Sequence, residues 1–143
     1  MIVKEEYKQY IESKKDVFHF LEHLKFSLKQ KTTKIQLIEK RQVDDERDPK
    51  YTNTYTMAKL FPNDDKVIAL KRELERLEIA DYIETNKDKN FPSRQDWRVF
   101  GKKYGNDEIY IKFRVELLPN TNVLVMSFHL STVSFKTFKF PYK

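Results

Sequence analysis

The stretch Glu108–His129, EIYIKFRVELLPNTNVLVMSFH, contains two strand-like runs around a turn. Alternate residues of a strand point to opposite faces. In the first run Ile109, Ile111, Phe113, Val115 and Leu117 therefore share an apolar face, with Tyr110, Lys112, Arg114 and Glu116 on the other. In the second, Leu124, Met126, Phe128 and Leu130 form the bulky face, opposite Val123, Val125, Ser127 and His129. The turn Pro119–Asn120–Thr121–Asn122 makes the pair a hairpin. Matching the bulky faces pairs Leu117 with Leu124, Val115 with Met126, Phe113 with Phe128 and Ile111 with Leu130. That register sets Arg114 opposite Ser127 and Lys112 opposite His129, so the histidine joins the basic stripe on one face.

Upstream, DVFHFLEHLKFSLKQK (16–31) reads as an amphipathic helix with Val17, Phe20, Leu21, Leu24 and Leu28 on its stripe. KIQLIEK (34–40) is a short strand, and VDDERDPKYTNTYT (43–56) a long polar loop. Asn63 is placed to cap a helix that turns Val67, Leu70, Leu74 and Leu77 inward, with Asp64 and Asp65 in its first turn. IADYIET (79–85) reads as a further short helix, NKDKNFPSRQD (86–96) as a loop, and WRVFGKK (97–103) as a strand before the turn at Gly105–Asn106–Asp107. Phe135, Phe138, Phe140 and Tyr142 suit a final strand with Lys136, Lys139 and Lys143 in water. Helices first and strands last predict one α+β domain over residues 1–143, with N-terminal helices packed on a C-terminal twisted antiparallel sheet.

Composition narrows the chemistry. The 143 residues include no cysteine, which excludes disulfides and thiolate metal sites and fits a reducing, cytoplasmic setting. No apolar run approaches the ~20 residues of a membrane span, and MIVKEEYKQYIESKKD lacks the apolar region of a signal peptide, so no membrane partner is expected. With glycine only at 101 and 105, phosphate-cradling glycine loops are excluded, and no cofactor or nucleotide cofactor is expected. Residues 1–90 carry 19 Lys/Arg against 18 Asp/Glu, and residues 91–143 carry 9 against 4. The basic excess lies with the strands and points to a polyanion such as RNA, or to an acidic protein.

His129 titrates near neutrality and is suited to acid or base catalysis. Lys112 and Arg114 can hold a phosphate, and Tyr110 can stack a base or relay a proton. Together they match metal-free RNA cleavage, in which a 2′-hydroxyl attacks the neighbouring phosphate. Arg98, Lys102 and Lys103 around Phe100, with Ser127 and Lys143, extend the RNA track, although edge-strand lysines also serve to deter aggregation. His19 and His23 fit the H-x-x-E-H spacing of a zinc protease but stand opposite the apolar stripe, where a solvent-facing role fits better; no metal site is expected.

At the hairpin, EIYIKFRV…NVLVMSFH resembles the strand pair of the MqsR-type (motility quorum-sensing regulator) mRNA interferase toxins. The upstream order of a Leu-rich helix, DYIET and a Trp-containing loop is similar, as is the ending KFPYK. The resemblance spans residues 64–143. It implies a RelE-like fold, ribosome-independent cleavage of mRNA, and inhibition by a cognate antitoxin protein. By position Tyr110 matches the family's tyrosine, and His129 stands where the family has a lysine. The family's short-helix lysine maps near Ile83, and its glutamine beside the tryptophan maps to Gln95. The alternative reading is a noncatalytic RNA-binding or host-factor-binding protein of a phage or mobile element with the same fold.

Overall fold

A computed structural model describes residues 7–39, 45–117 and 120–143. Lys40, Val43, Asp44 and Pro119, which belong to segments read above as strand, loop and turn, lie outside the described residues. The elements are β1 (Tyr7–Tyr10), α1 (Lys14–Leu28), β2 (Lys34–Leu37), α2 (Asn53–Leu60), α3 (Lys66–Glu75), β3 (Tyr82–Asp88), β4 (Trp97–Tyr104), β5 (Asp107–Glu116) and β6 (Asn122–Leu130). The fold is α+β: among the described residues three helices pack on a six-stranded open sheet of order β1-β3-β4-β5-β6-β2, in which only the β2–β6 pairing is parallel.

α1 begins where the Ser13 hydroxyl accepts a hydrogen bond from the Asp16 N–H at 3.1 Å, with Asp16 at the positive end of the helix dipole. Val17, Leu21, Leu24 and Leu28 are buried against the sheet, as the stripe predicts. α3 is capped by Asp65 rather than Asn63, its carboxylate accepting from the N–H groups of Val67 and Ile68. Leu70, Leu74 and Leu77 are buried, whereas Val67, in the first turn, is 47% exposed. Under the helices, Phe100 and Phe113 stack with centroids 5.6 Å apart, and Phe20 of α1 lies 5.8 Å from Phe113. Burying side chains of this size contributes about 1.5–3 kcal/mol each.

Two β-bulges correct the sequence reading. In β3, Tyr82 pairs with Phe100 and Glu84 with Val99, so Ile83 is an extra residue. Segment 79–85 is therefore not a helix but a 3₁₀ turn (Ile79–Asp81) followed by a strand. The bulge buries Tyr82, Ile83, Thr85 and Asn86, a spacing that imitates a helical stripe. In β6, Lys112 pairs with Ser127 but Phe113 with Val125, leaving Met126 as the extra residue. Alternation reverses there: Val123 and Val125 enter the core, while Leu124 stands opposite Arg114. The register is thus Tyr110 with His129 and Lys112 with Ser127, not Lys112 with His129 and Arg114 with Ser127. Leu117, expected inside, lies past the end of β5 and is 44% exposed.

Residues 53–56 are not loop but the start of α2, capped by Thr52. Its buried positions include Asn53, Thr56 and Met57, so the helical spacing is carried mostly by polar side chains. The Asn53 amide N–H groups donate to the carbonyls of Ile38 (2.6 Å) and Met126 (2.9 Å), and its oxygen accepts from the Phe128 N–H (2.9 Å). The Thr56 hydroxyl accepts from the Leu130 N–H at 3.2 Å. β2 ends at Leu37, with the Ile38 N–H still reaching the Val125 carbonyl. Beyond that point the side chains of α2 satisfy the β6 backbone in place of a neighbouring strand.

The C-terminal segment is a strap rather than a strand, with a 3₁₀ turn at Phe135–Thr137. It crosses the outer face of the sheet, the one turned away from the helices. The Phe135 N–H donates to the Glu108 carboxylate at 3.0 Å. Tyr142 stacks on Tyr82 with centroids 6.0 Å apart, and its hydroxyl donates to the Glu12 carbonyl. A Cβ on Gly101 would lie 2.9 Å from the Phe135 ring and 3.1 Å from both Ile83 and Phe140. Gly101→Ala is accordingly expected to cost about 1–3 kcal/mol in urea unfolding by pushing the strap outward. A loss below about 0.5 kcal/mol would mean that the strap moves aside freely.

Candidate functional site

Regular alternation on the Leu130 side of the β6 bulge sets Ser127 and His129 on the outer face beside the Tyr110 and Lys112 side chains of β5. These four residues line a cleft of about 310 Å³ with Arg47, Met126 and Phe138. Lys112, Ser127 and His129 are buried, and none of Arg47, Tyr110, Lys112, Ser127 and His129 is left unengaged. The rings of Tyr110 and His129 stack with centroids 5.7 Å apart and 23° between their planes. Phe138 of the strap lies 6.1 Å from Tyr110 on a tilted contact. His129 Nδ1 is 2.8 Å from the Leu130 carbonyl oxygen. A carbonyl only accepts, so Nδ1 carries a proton and Nε2 is the nitrogen that can take up or release one. The cleft therefore combines a fixed imidazole, an ammonium, a guanidinium, a phenol and a hydroxyl.

Arg114 does not join them. It stands two residues along β5, with its guanidinium 4.4 Å over the Trp97 ring and Nε 2.9 Å from Glu116, a contact not aligned as a hydrogen bond. It lines a neighbouring cleft of about 410 Å³ instead. Arg98 faces the helices: it pairs with Glu12 at 2.8 Å and stacks over Phe20 at 4.3 Å. Lys102 donates to the Arg76 carbonyl at 2.9 Å, near Asp81, whose carboxyl is raised above its ordinary value by burial. Lys102, Lys103 and Lys143 border a third cleft of about 380 Å³ under the strap, with Lys143 over the Phe140 ring. Gln95, with His19 and His23, lines a depression beside α1, and both histidines are exposed. Among the described residues no group of three His, Cys, Asp or Glu side chains is disposed to hold a metal.

The sequence reading missed Arg47, which the chain between β2 and α2 brings to the cleft, and Met126, which the bulge turns outward. Met126 carries no local signal, since its facing depends on the bulge. No helix among the described residues is long and apolar enough to cross a membrane. The chain matches no family model, no curated protein and no solved structure.

Proposed function

We propose that this chain is a cytoplasmic, metal-independent endoribonuclease of the mRNA-interferase type, with a RelE-like arrangement, that cleaves single-stranded mRNA and is restrained by a cognate antitoxin protein. The observation that carries this reading is the packing of His129 against Tyr110, beside Lys112 and Ser127, in one cleft of the outer face. In the proposed step His129 Nε2 takes the proton of a 2′-hydroxyl as its oxygen attacks the adjacent phosphorus. The P–O5′ bond breaks, the Tyr110 phenol protonates the departing oxygen, and a 2′,3′-cyclic phosphate is left. Lys112 and Arg47 stabilise the charge that develops on the phosphate. Tyr110 already lies between His129 and Phe138, which favours orienting and proton-relay work over stacking an RNA base. Arg114, outside the cleft, has no place in this step, and Arg47 takes the second cationic role.

The test is incubation of the purified protein with long single-stranded RNA in EDTA. Discrete fragments ending in 2′,3′-cyclic phosphate and 5′-hydroxyl are the expected result. Intact RNA that stays bound would reassign the chain to noncatalytic RNA binding, and intact RNA without binding would end both readings.

A further inference from the structure

We infer that the outer face holds about five nucleotides of single-stranded RNA on an oblique track through three clefts, with the phosphate to be cut in the middle one. This rests on the RNA-cleaving reading above and adds to it the length and course of the bound strand.

The His129 cleft lies between the other two. At one end is the cleft under the strap, bordered by Lys103, Lys136 and the Phe135 and Phe140 rings. At the other is the cleft beside Arg114, bordered by Lys34 and Arg94. The strand register sets their spacing. Lys103 of β4 pairs with Glu108 of β5, whereas Lys34 of β2 pairs with Asn122, which in turn pairs with Glu116 of β5. Between the levels of Glu108 and Glu116 lie about 27 Å along the strands, and from β4 to β2 about 14 Å across them. The ends of the track are thus about 30 Å apart, with Lys112 near its midpoint. That span suits about five nucleotides of an extended strand.

Some cations bordering these clefts are already claimed. Arg114 is ion-paired with Glu116, Lys102 is held by the Arg76 carbonyl and Asp81, and Lys143 lies over the Phe140 ring. Lys34, Arg94, Lys103 and Lys136 differ: all four are exposed, and among the described residues none stands in an ion pair. Arg94 is steadied with its guanidinium 4.2 Å over the Phe91 ring. Each end therefore offers two uncommitted positive charges, and the middle cleft adds Lys112 and Arg47. Cations spread along a line fit a partner whose charge recurs along its length, as the phosphates of a nucleic acid do. The half-buried rings of Phe135, Phe138 and Phe140 stand where the strap cleft meets the middle one, within reach of unstacked bases. Rings interleaved with cations favour single-stranded RNA over an acidic protein segment.

The experiment is fluorescence anisotropy with end-labelled oligouridylates of two, four, six and ten nucleotides, using the His129→Gln chain so that the RNA stays intact. Affinity is expected to rise about ten-fold or more from two to six nucleotides and then to level off. Two double variants test the ends: Lys103→Ala with Lys136→Ala, and Lys34→Ala with Arg94→Ala. Each is expected to weaken the six-nucleotide complex about five-fold or more and to reduce the slope of its log–log salt dependence by about one. The two-nucleotide complex, seated in the middle cleft, should be unchanged in both; circular dichroism checks that each is folded. An affinity that levels off at two nucleotides, or a six-nucleotide complex indifferent to either double variant, would overturn the track and leave the nuclease reading standing. Failure of every oligomer to bind would overturn both and leave the exposed cations to an acidic protein.

Discussion

His129→Ala is expected to lower RNA cleavage by about 10²- to 10⁴-fold, the range over which a positioned proton-transfer group acts. The imidazole is fixed on two sides, by its Nδ1 contact with the Leu130 carbonyl and by the Tyr110 ring against its face. Alanine removes both the titrating nitrogen and a buried ring. His129→Gln, which fills more of the space but has no titrating nitrogen, is the needed control and should lose comparable activity with a smaller loss of stability. Single-turnover cleavage rates, read beside the affinity for RNA, separate the two effects. A rate within a few-fold of wild type in either variant would remove His129 from the chemistry.

The largest loss of stability is expected from Asn53→Ala. One side chain, 1% exposed, satisfies three backbone groups: the Ile38 and Met126 carbonyls and the Phe128 N–H. Each buried group left without a partner costs about 1–3 kcal/mol, so a loss of about 3–5 kcal/mol is expected in urea unfolding. That is a large part of the 5–15 kcal/mol typical of a domain. Asn53→Asp keeps an acceptor for the Phe128 N–H but has no donor for either carbonyl, and it should also be strongly destabilised. A loss below about 1 kcal/mol for Asn53→Ala would show that the bulge stands without its amide.

The helix–sheet division could be read from the sequence where burial followed a simple period. The α1 stripe, the inner face of β5 and the placing of His129 with Tyr110 and Lys112 on the outer face all followed from apolar spacing. Reading failed where one extra residue broke the period. Ile83 made β3 resemble a helix, and Met126 changed the pairing along β6. α2 escaped notice because its buried side depends on Asn53 and Thr56, which a hydropathy pattern counts as surface. Arg114 and Arg98 were grouped with the site by charge, yet each is held by a carboxylate and an aromatic ring elsewhere. Charge in a sequence gives no account of which partner claims it.

The strand order has a consequence for how the molecule opens. β3 through β6 follow one another in the chain and form the middle of the sheet, while β1 and β2, which come earlier, sit at its two rims. Brief local unfolding begins where a strand has a neighbour on one side only, so amide hydrogens of Tyr7–Tyr10 and Lys34–Leu37 exchange with solvent ahead of those in β5. The His129 cleft straddles β5 and β6, inside both rims. The protein can therefore fray at either margin, shedding the β1 rim or loosening the β2 rim, while Tyr110 and His129 keep their contact.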